Sequence, residues 1–387
     1  MAVLGKLRVE YESLRTWLCD QALPLWSSKG LDRESGGFVE RLSPSGEPSE
    51  EPHRARLVGR QLYAFSLGPR FGWLGPPDDV VRYGRSFLDS HFWREDGMLV
   101  STVDRSGRVI RADFDLYDHA FVLFGMAAVF ATNPQAIELE AKAVDLLSRM
   151  KERWGHPSGG FEESVPRSLP LLANPHMHML EVSLAWYEIT AGPIWRALAD
   201  EIVELCLGHF LDPESGALLE RFDGDWRPMV GDSQAAIEPG HQFEWAWLLI
   251  RWGRLAHRPD AIVVAKQLIE IGENKGVDRR LRLAINELDL RLKAKDQRAR
   301  LWPQTERIKA NLAIASLGGD DETVAIGRAL EAVQGLQRYF VHPIRGAWWE
   351  HQGVDGRPIK EQSRGSSLYH IVCAMDEMRK FLSQSLI

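Results

Sequence analysis

Apolar residues recur along much of the chain at intervals of three and four, the spacing that puts them on one face of an α-helix. Six segments, at about 7–27, 78–92, 135–153, 194–211, 259–273 and 321–341, follow this rule and carry charged residues on the opposite face. Each is followed by a glycine-led stretch with turn signals. Gly36-Gly37-Phe38 with Ser45-Gly46 is the first, and Asp96-Gly97-Met98 with Ser106-Gly107 the second. Gly159-Gly160-Phe161, Gly216-Ala217-Leu218 with Asp223-Gly224, and Gly346-Ala347-Trp348 with Asp355-Gly356 repeat the plan. The copy near Gly276-Val277-Asp278 lacks the second turn signal. Short alternating runs around these turns predict β-hairpins.

A more apolar helix closes each unit, and its first turns hold polar residues. These starts contain Val58-Gly59-Arg60-Gln61, Tyr117-Asp118-His119-Ala120 and Asn174-Pro175-His176-Met177-His178. The other three contain Pro239-Gly240-His241-Gln242-Phe243-Glu244, Trp302-Pro303-Gln304-Thr305-Glu306 and Ser366-Ser367-Leu368-Tyr369-His370. The intervals between Arg60, His119, His178, His241, Glu306 and His370 are 59, 59, 63, 65 and 64 residues. Six units of one plan therefore span the chain. A helical hairpin cannot bury its own apolar face, but six can close a ring with the polar helices outside and the apolar ones inside. The expected fold is all-α, an (α/α)6 barrel of six helical hairpins with short β-hairpins at one end. It takes up residues 1–387 as a single domain, since no Pro-, Gly- and Ser-rich linker divides it.

Charge and composition narrow the partners. The chain of 387 residues is 44% apolar and 26% charged, with a net charge of −7, which gives no reason to expect nucleic acid or an anionic membrane. The basic stretch from Lys275 to Arg300 also carries Asp278, Glu287, Asp289 and Asp296, and reads as a solvated face. Cys19, Cys206 and Cys373 lie far apart in apolar settings, which argues against a disulfide framework and for a reducing compartment. Residues Met1 to Glu12 are charged and lack the apolar core of a signal peptide. The longest apolar run, around Ala120 to Ala131, is too short to span a bilayer. The expectation is a soluble cytoplasmic protein, monomeric or homodimeric.

Proline suits the first turn of a helix and asparagine an N-cap, so Asn174, Pro175 and Pro303 mark N-terminal ends of the apolar helices. In a ring of hairpins with one topology these ends line one mouth. Arg60, Tyr117, His178, His241, Glu306 and His370 then converge on one cavity. Helix N-termini add positive potential there, which favours an anionic intermediate and keeps a nearby imidazole neutral. His178 with Glu181, and His241 with Glu244, are three residues apart and share a helix face. Each carboxylate is placed to orient its histidine or to bind a hydroxyl. His176 and His178, two residues apart, diverge on a helix, and no zinc-type spacing occurs nearby, so neither a metal nor another cofactor is expected.

The chain resembles the N-acylglucosamine 2-epimerase family at Leu116-Tyr117-Asp118-His119-Ala120-Phe121 and His176-Met177-His178-Met179-Leu180-Glu181. The resemblance continues at Pro239-Gly240-His241-Gln242-Phe243-Glu244-Trp245 and Leu301-Trp302-Pro303-Gln304-Thr305-Glu306. Ser366-Ser367-Leu368-Tyr369-His370 looks more like the mannose isomerase and mannose 2-epimerase branch than the N-acetylated-sugar branch. The resemblance implies the same (α/α)6 barrel and a metal-free isomerisation or epimerisation of a monosaccharide. It implies that His241 and His370 are the catalytic histidines and that Arg60 contacts the substrate. Tyr117, Asn174, His178, Glu244, Trp302 and Glu306 are its implied sugar contacts, and Trp302 and Trp349 are the candidates for stacking on a sugar ring.

Such chemistry needs a base poised near neutral pH to take the proton on carbon 2 of the open-chain sugar, and donors aimed at the developing enediolate oxygens. Return of the proton to carbon 1 interconverts mannose and fructose, which is the expected reaction. Return to carbon 2 from the opposite face is the alternative, a 2-epimerase acting on mannose and glucose, N-acylglucosamine or cellobiose. A glycoside hydrolase is more distant: it needs two carboxylates across the scissile bond, and the histidines favour proton transfer.

Overall fold

The computed structural model describes residues 2–229 and 236–384. The chain starts with α1 (Ala2–Trp17), which runs through a π-helical turn at Leu18–Ala22 into α2 (Leu23–Ser28). Then come α3 (Ala55–Leu67), α4 (Pro77–His91), α5 (Leu116–Thr132), α6 (Glu138–Trp154), α7 (Ala173–Thr190) and α8 (Pro193–Leu205). The last five are α9 (Pro239–Ala256), α10 (Pro259–Lys275), α11 (Leu301–Ala315), α12 (Glu322–Gln337) and α13 (Ser367–Gln384).

Burial sorts them into two rings. In α4 only Val80, Gly84, Phe87 and Leu88 are buried, whereas α5 is buried from Leu116 to Phe130 apart from Tyr117. Helices α3, α5, α7, α9, α11 and α13 pack on one another in that order, and α13 returns to α3. The barrel is thereby closed. Each outer helix from α4 onward packs on the inner helix just before it, while α1 packs on α13 and α12. The hairpin is thus an inner helix followed by an outer one, the reverse of the order in which the sequence repeat was divided. Two of its turns are only two residues long: Ala191 and His257 end α7 and α9 in the left-handed conformation (φ 52° and 54°), and Pro193 and Pro259 start the next helix.

The glycine-led stretches form hairpins and bridges, among them Thr102–Val103 with Val109–Arg111 and Phe222 with Pro228. They also stitch neighbouring units together. The two residues before α3 pair with 102–103, those before α5 with 164–165, those before α7 with 221–222, and those before α11 with 351–352. Arg41–Leu42 pairs with Ser363–Arg364, joining the first unit to the last. The fifth unit has its second turn after all, with Glu287–Leu288 paired to Ala294–Asp296. Its signal is hidden because Arg282 and Leu292 (φ 58° and 57°) take the left-handed conformation that Gly346 and Gly356 (φ 87° and 81°) supply in the sixth. Among the described residues no helix is long and apolar enough to cross a membrane.

Candidate active site

Each inner helix follows closely on its short strand or bridge, α13 after the two turn residues Gly365 and Ser366, which sets a common register: Ala55, Leu116, Ala173, Pro239, Leu301 and Gly365 are equivalent. Five residues further on stand Arg60, Phe121, His178, Glu244, Glu306 and His370. The repeat interval drawn through His119 is therefore out of register by two, and Phe121 is the residue in line. His119 and His176 sit three residues in, where α9 and α11 have Gln242 and Gln304. All four clamp the hairpin to the helix. Nε2 of His119 and of His176 accepts from Leu99 N–H (3.3 Å) and Phe161 N–H (3.0 Å). The glutamine Oε1 atoms accept from Leu218 N–H (2.8 Å) and Ala284 N–H (2.9 Å).

The N-terminal ends of the inner helices enclose a cavity of 210 Å3. Arg60, Tyr117, Asn174, His178, His241, Glu244, Trp302 and His370 line it, as the convergence of helix ends predicts. Glu181 and Glu306 do not. They lie fully buried behind it, where Glu181 accepts from His178 Nδ1–H (3.2 Å) and Glu306 from His370 Nδ1–H (2.9 Å). Asn174 is the second residue of α7 and not its N-cap. Trp349 is also elsewhere, stacked near His342 with its indole N–H donated to Val341 O (2.8 Å). Trp302 lies against both His241 (5.0 Å between ring centres) and His370 (5.7 Å). Gly240 leaves it room, since a Cβ there would come within 2.4 Å of the indole.

Glu244 does not orient His241. Two residues past the start of α9, His241 turns toward the preceding hairpin and donates Nδ1–H to Glu220 at 2.9 Å. Ser367, at the same register in α13, does likewise to Glu350 (2.9 Å). Two further residues, Arg300 and Lys309, escaped the sequence reading. Arg300, placed on a solvated face, instead lines the cavity and pairs with Glu238 (2.6 Å). Lys309 is fully buried, 2.5 Å from Glu306 and 3.9 Å from Glu244.

The two histidines differ in charge. Burial by itself depresses the imidazole of His241, but the carboxylates of Glu220 and Glu238 outweigh it and lift its pKa to about 9. The expectation that helix N-termini keep a nearby imidazole neutral therefore does not describe His241. Burial, reinforced by Arg60 and Lys309, holds His370 well below the usual range, so it is a neutral base. Burial, with Glu306 close by, raises the Glu244 carboxyl well above the usual carboxylate range. With Nδ1 of each histidine committed to a carboxylate, Nε2 is the atom left for the cavity.

Other groups wait for a partner. Arg60 Nε, Asn174 Oδ1 and Glu244 Oε1 are buried with no hydrogen bond, which marks them for a ligand. Arg60 rests on Phe121 (3.9 Å) and donates to Tyr117 Oη (2.6 Å), and among the described residues no carboxylate pairs with it. His178, Glu181 and Glu244, and likewise Glu244, Glu306 and His370, bring ligand atoms within 4.8 Å of one another, as a metal site would. The ammonium of Lys309 already stands at the second group, against Glu306 and Glu244.

The mannose-6-phosphate isomerase of Rhizobium meliloti (strain 1021) is 39% identical over 98% of this chain and 99% of its own. The cellobiose 2-epimerase of Bacteroides fragilis is 20% identical over 89% of this chain and 91% of its own. The structure of cellobiose 2-epimerase from Spirochaeta thermophila DSM 6192 superposes with a TM-score of 0.87 at 21% identity, covering 99% of both chains. With residues 36–374 matching the N-acylglucosamine 2-epimerase (GlcNAc 2-epimerase) family, the chain belongs to that family of sugar isomerases and epimerases.

Proposed function

We propose that this enzyme is an aldose–ketose isomerase that interconverts mannose and fructose, with the whole chain as one catalytic domain. The observation that carries the reading is the pair of histidines, one charged and one neutral, that both lie against Trp302, each anchored through Nδ1 to a buried carboxylate. His241, an imidazolium, gives a proton to the ring oxygen as the sugar opens and regains one from the carbon 1 hydroxyl. His370, neutral, takes the proton from carbon 2 through Nε2 and returns a proton to carbon 1, while the carbon 2 hydroxyl gives its proton to the carbon 1 oxygen. Arg60 donates to the enediolate oxygens, where preorganised donors are worth most, and Glu244 meets a sugar hydroxyl. Tyr117, Asn174, His178 and Trp302 position the sugar. Glu181 and Glu306 act from behind, by fixing the tautomers of His178 and His370.

A specific observation also favours 2-epimerisation: the charged His241 is a proton donor set apart from the base, as return to carbon 2 from the other face requires. The relative in Rhizobium meliloti supports the isomerase and brings a 6-phosphate into question. Arg364 on the cavity wall offers a phosphate a partner. One NMR experiment in D2O, run with mannose and with mannose 6-phosphate, tests all three readings. Isomerisation gives fructose or its 6-phosphate labelled at carbon 1; epimerisation gives the glucose product labelled at carbon 2. Turnover with complete retention of the carbon 2 proton, or label entry that survives His370→Asn, sinks the histidine mechanism.

A further inference from the structure

We infer that Lys309 is a positioning residue of the proton-transfer site, a built-in cation that opposes a proton on His370 and keeps that base neutral. The inference rests on the reading above that His370 is the base. Its own support is geometric. Lys309 lies in the wall of the barrel on α11 with no exposure, and a bare ammonium is costly there unless carboxylates surround it. Its Nζ is 2.5 Å from Glu306 Oε2, 3.9 Å from Glu244 Oε1 and 3.8 Å above the Trp247 ring. The other oxygen of Glu306, Oε1, accepts Nδ1–H of His370 at 2.9 Å. One carboxylate therefore bridges the lysine and the base.

The titratable and charged groups facing His370 are Arg60 from α3, His178 and Glu181 from α7, Glu244 from α9, and Glu306 with Lys309 from α11. α5 faces this layer with Phe121, which carries none. Arg60 and Lys309 oppose a proton on the imidazole, and Glu181 and Glu306 invite one. Burial raises the Glu306 carboxyl and Lys309 works against that rise. Without the lysine, Glu306 becomes a stronger acceptor and His370 loses one of its two repelling cations. Both effects move His370 toward imidazolium, which cannot take a proton from carbon.

Lys309→Met removes the charge and keeps an unbranched chain. In this variant the acidic limb of kcat/KM should move up by about one pH unit or more, the scale of one nearby buried charge, with KM little changed. The pKa of His370, read from imidazole 15N shifts in histidine-labelled protein and assigned with His370→Asn, should rise by the same amount. If Lys309→Met does not fold, Glu306→Gln is compared with Lys309→Met/Glu306→Gln by the same NMR titration, since cores tolerate joint removal of a buried ion pair. The double variant should still show the higher His370 pKa. A His370 pKa that is the same with and without Lys309 overturns the inference and leaves the lysine a packing role. Retention of carbon 2 exchange in His370→Asn instead overturns the assignment of the base, so the two failures are distinct.

Discussion

His241 donates Nδ1–H to both oxygens of Glu220 at 2.9 Å, in a wall where burial alone would strip an imidazole of its charge. Because the carboxylates lift its pKa to about 9, His241 is a competent acid below that pH and an incompetent one above it. We expect kcat/KM to fall as pH rises through about 9. Glu220→Gln keeps an acceptor for Nδ1–H but removes the anion, so burial prevails and the alkaline limb should move down by about one to three pH units. An alkaline limb at one pH in both proteins would assign it to another group. Arg60, His178, Glu306 and His370 were readable because each falls at one register of a helical repeat. Glu220 was not, since it sits 21 residues from its partner on a connecting stretch. Its signal exists: Glu40, Glu163, Glu220 and Glu350 each follow a turn glycine by four residues. Lys309 gave no signal at all, because a lone lysine within a helix looks solvent-facing until the neighbouring helix is known.

Helix identity and approximate limits followed from apolar spacing, yet the closeness of neighbouring helices did not. α3 and α5 meet through Gly59 and Gly125, where a Cβ on Gly59 would lie 2.0 Å from Phe121 O and one on Gly125 2.6 Å from Gly59 O. Both obstacles are backbone, so neither can rotate aside. Gly59→Ala must push the two helices apart, at a cost of about 1–3 kcal/mol or more. It also shifts Arg60, the next residue, relative to Tyr117. We expect a lower urea midpoint together with lost activity, measured against Gly5→Ala as a control. Gly5 is in α1 with open space around it, so alanine there should stabilise slightly through helix propensity. Equal stability of the two variants would show that the α3–α5 contact is looser than these distances require. Positive φ at Arg282 and Leu292 is the matching lesson for turns: a turn imposed by the surrounding ring does not need the glycine that announces one in sequence.

Closure of the barrel was readable from five similar intervals between six helix starts, but its phase was not, because a closed ring of alternating helices has the same period wherever the unit is cut. What ties the ring to its collar of strands is the clamp at His119, His176, Gln242 and Gln304, and this makes acid stability a property of the assembled barrel. Burial lowers the pKa of His119 and of His176 from 6.5 to about 4. Between those values the unfolded chain binds protons that the folded chain cannot. Stability is therefore full above pH 6.5 and falls as pH drops toward 4, by about 3 kcal/mol for each histidine. The sequence itself offers the substitution that tests this. Glutamine at the equivalent position accepts the same hairpin N–H and donates to the carbonyl four residues back, as Gln304 does to Arg300 O at 3.0 Å. His119→Gln/His176→Gln should match the parent at pH 7 to within about 1 kcal/mol, the net worth of a hydrogen bond, and lose less stability between pH 7 and pH 5. Urea denaturation at a series of pH values measures both. If the double variant keeps the parent's slope, these two histidines are not what acid attacks; if it is several kcal/mol weaker at pH 7, glutamine does not reproduce the clamp.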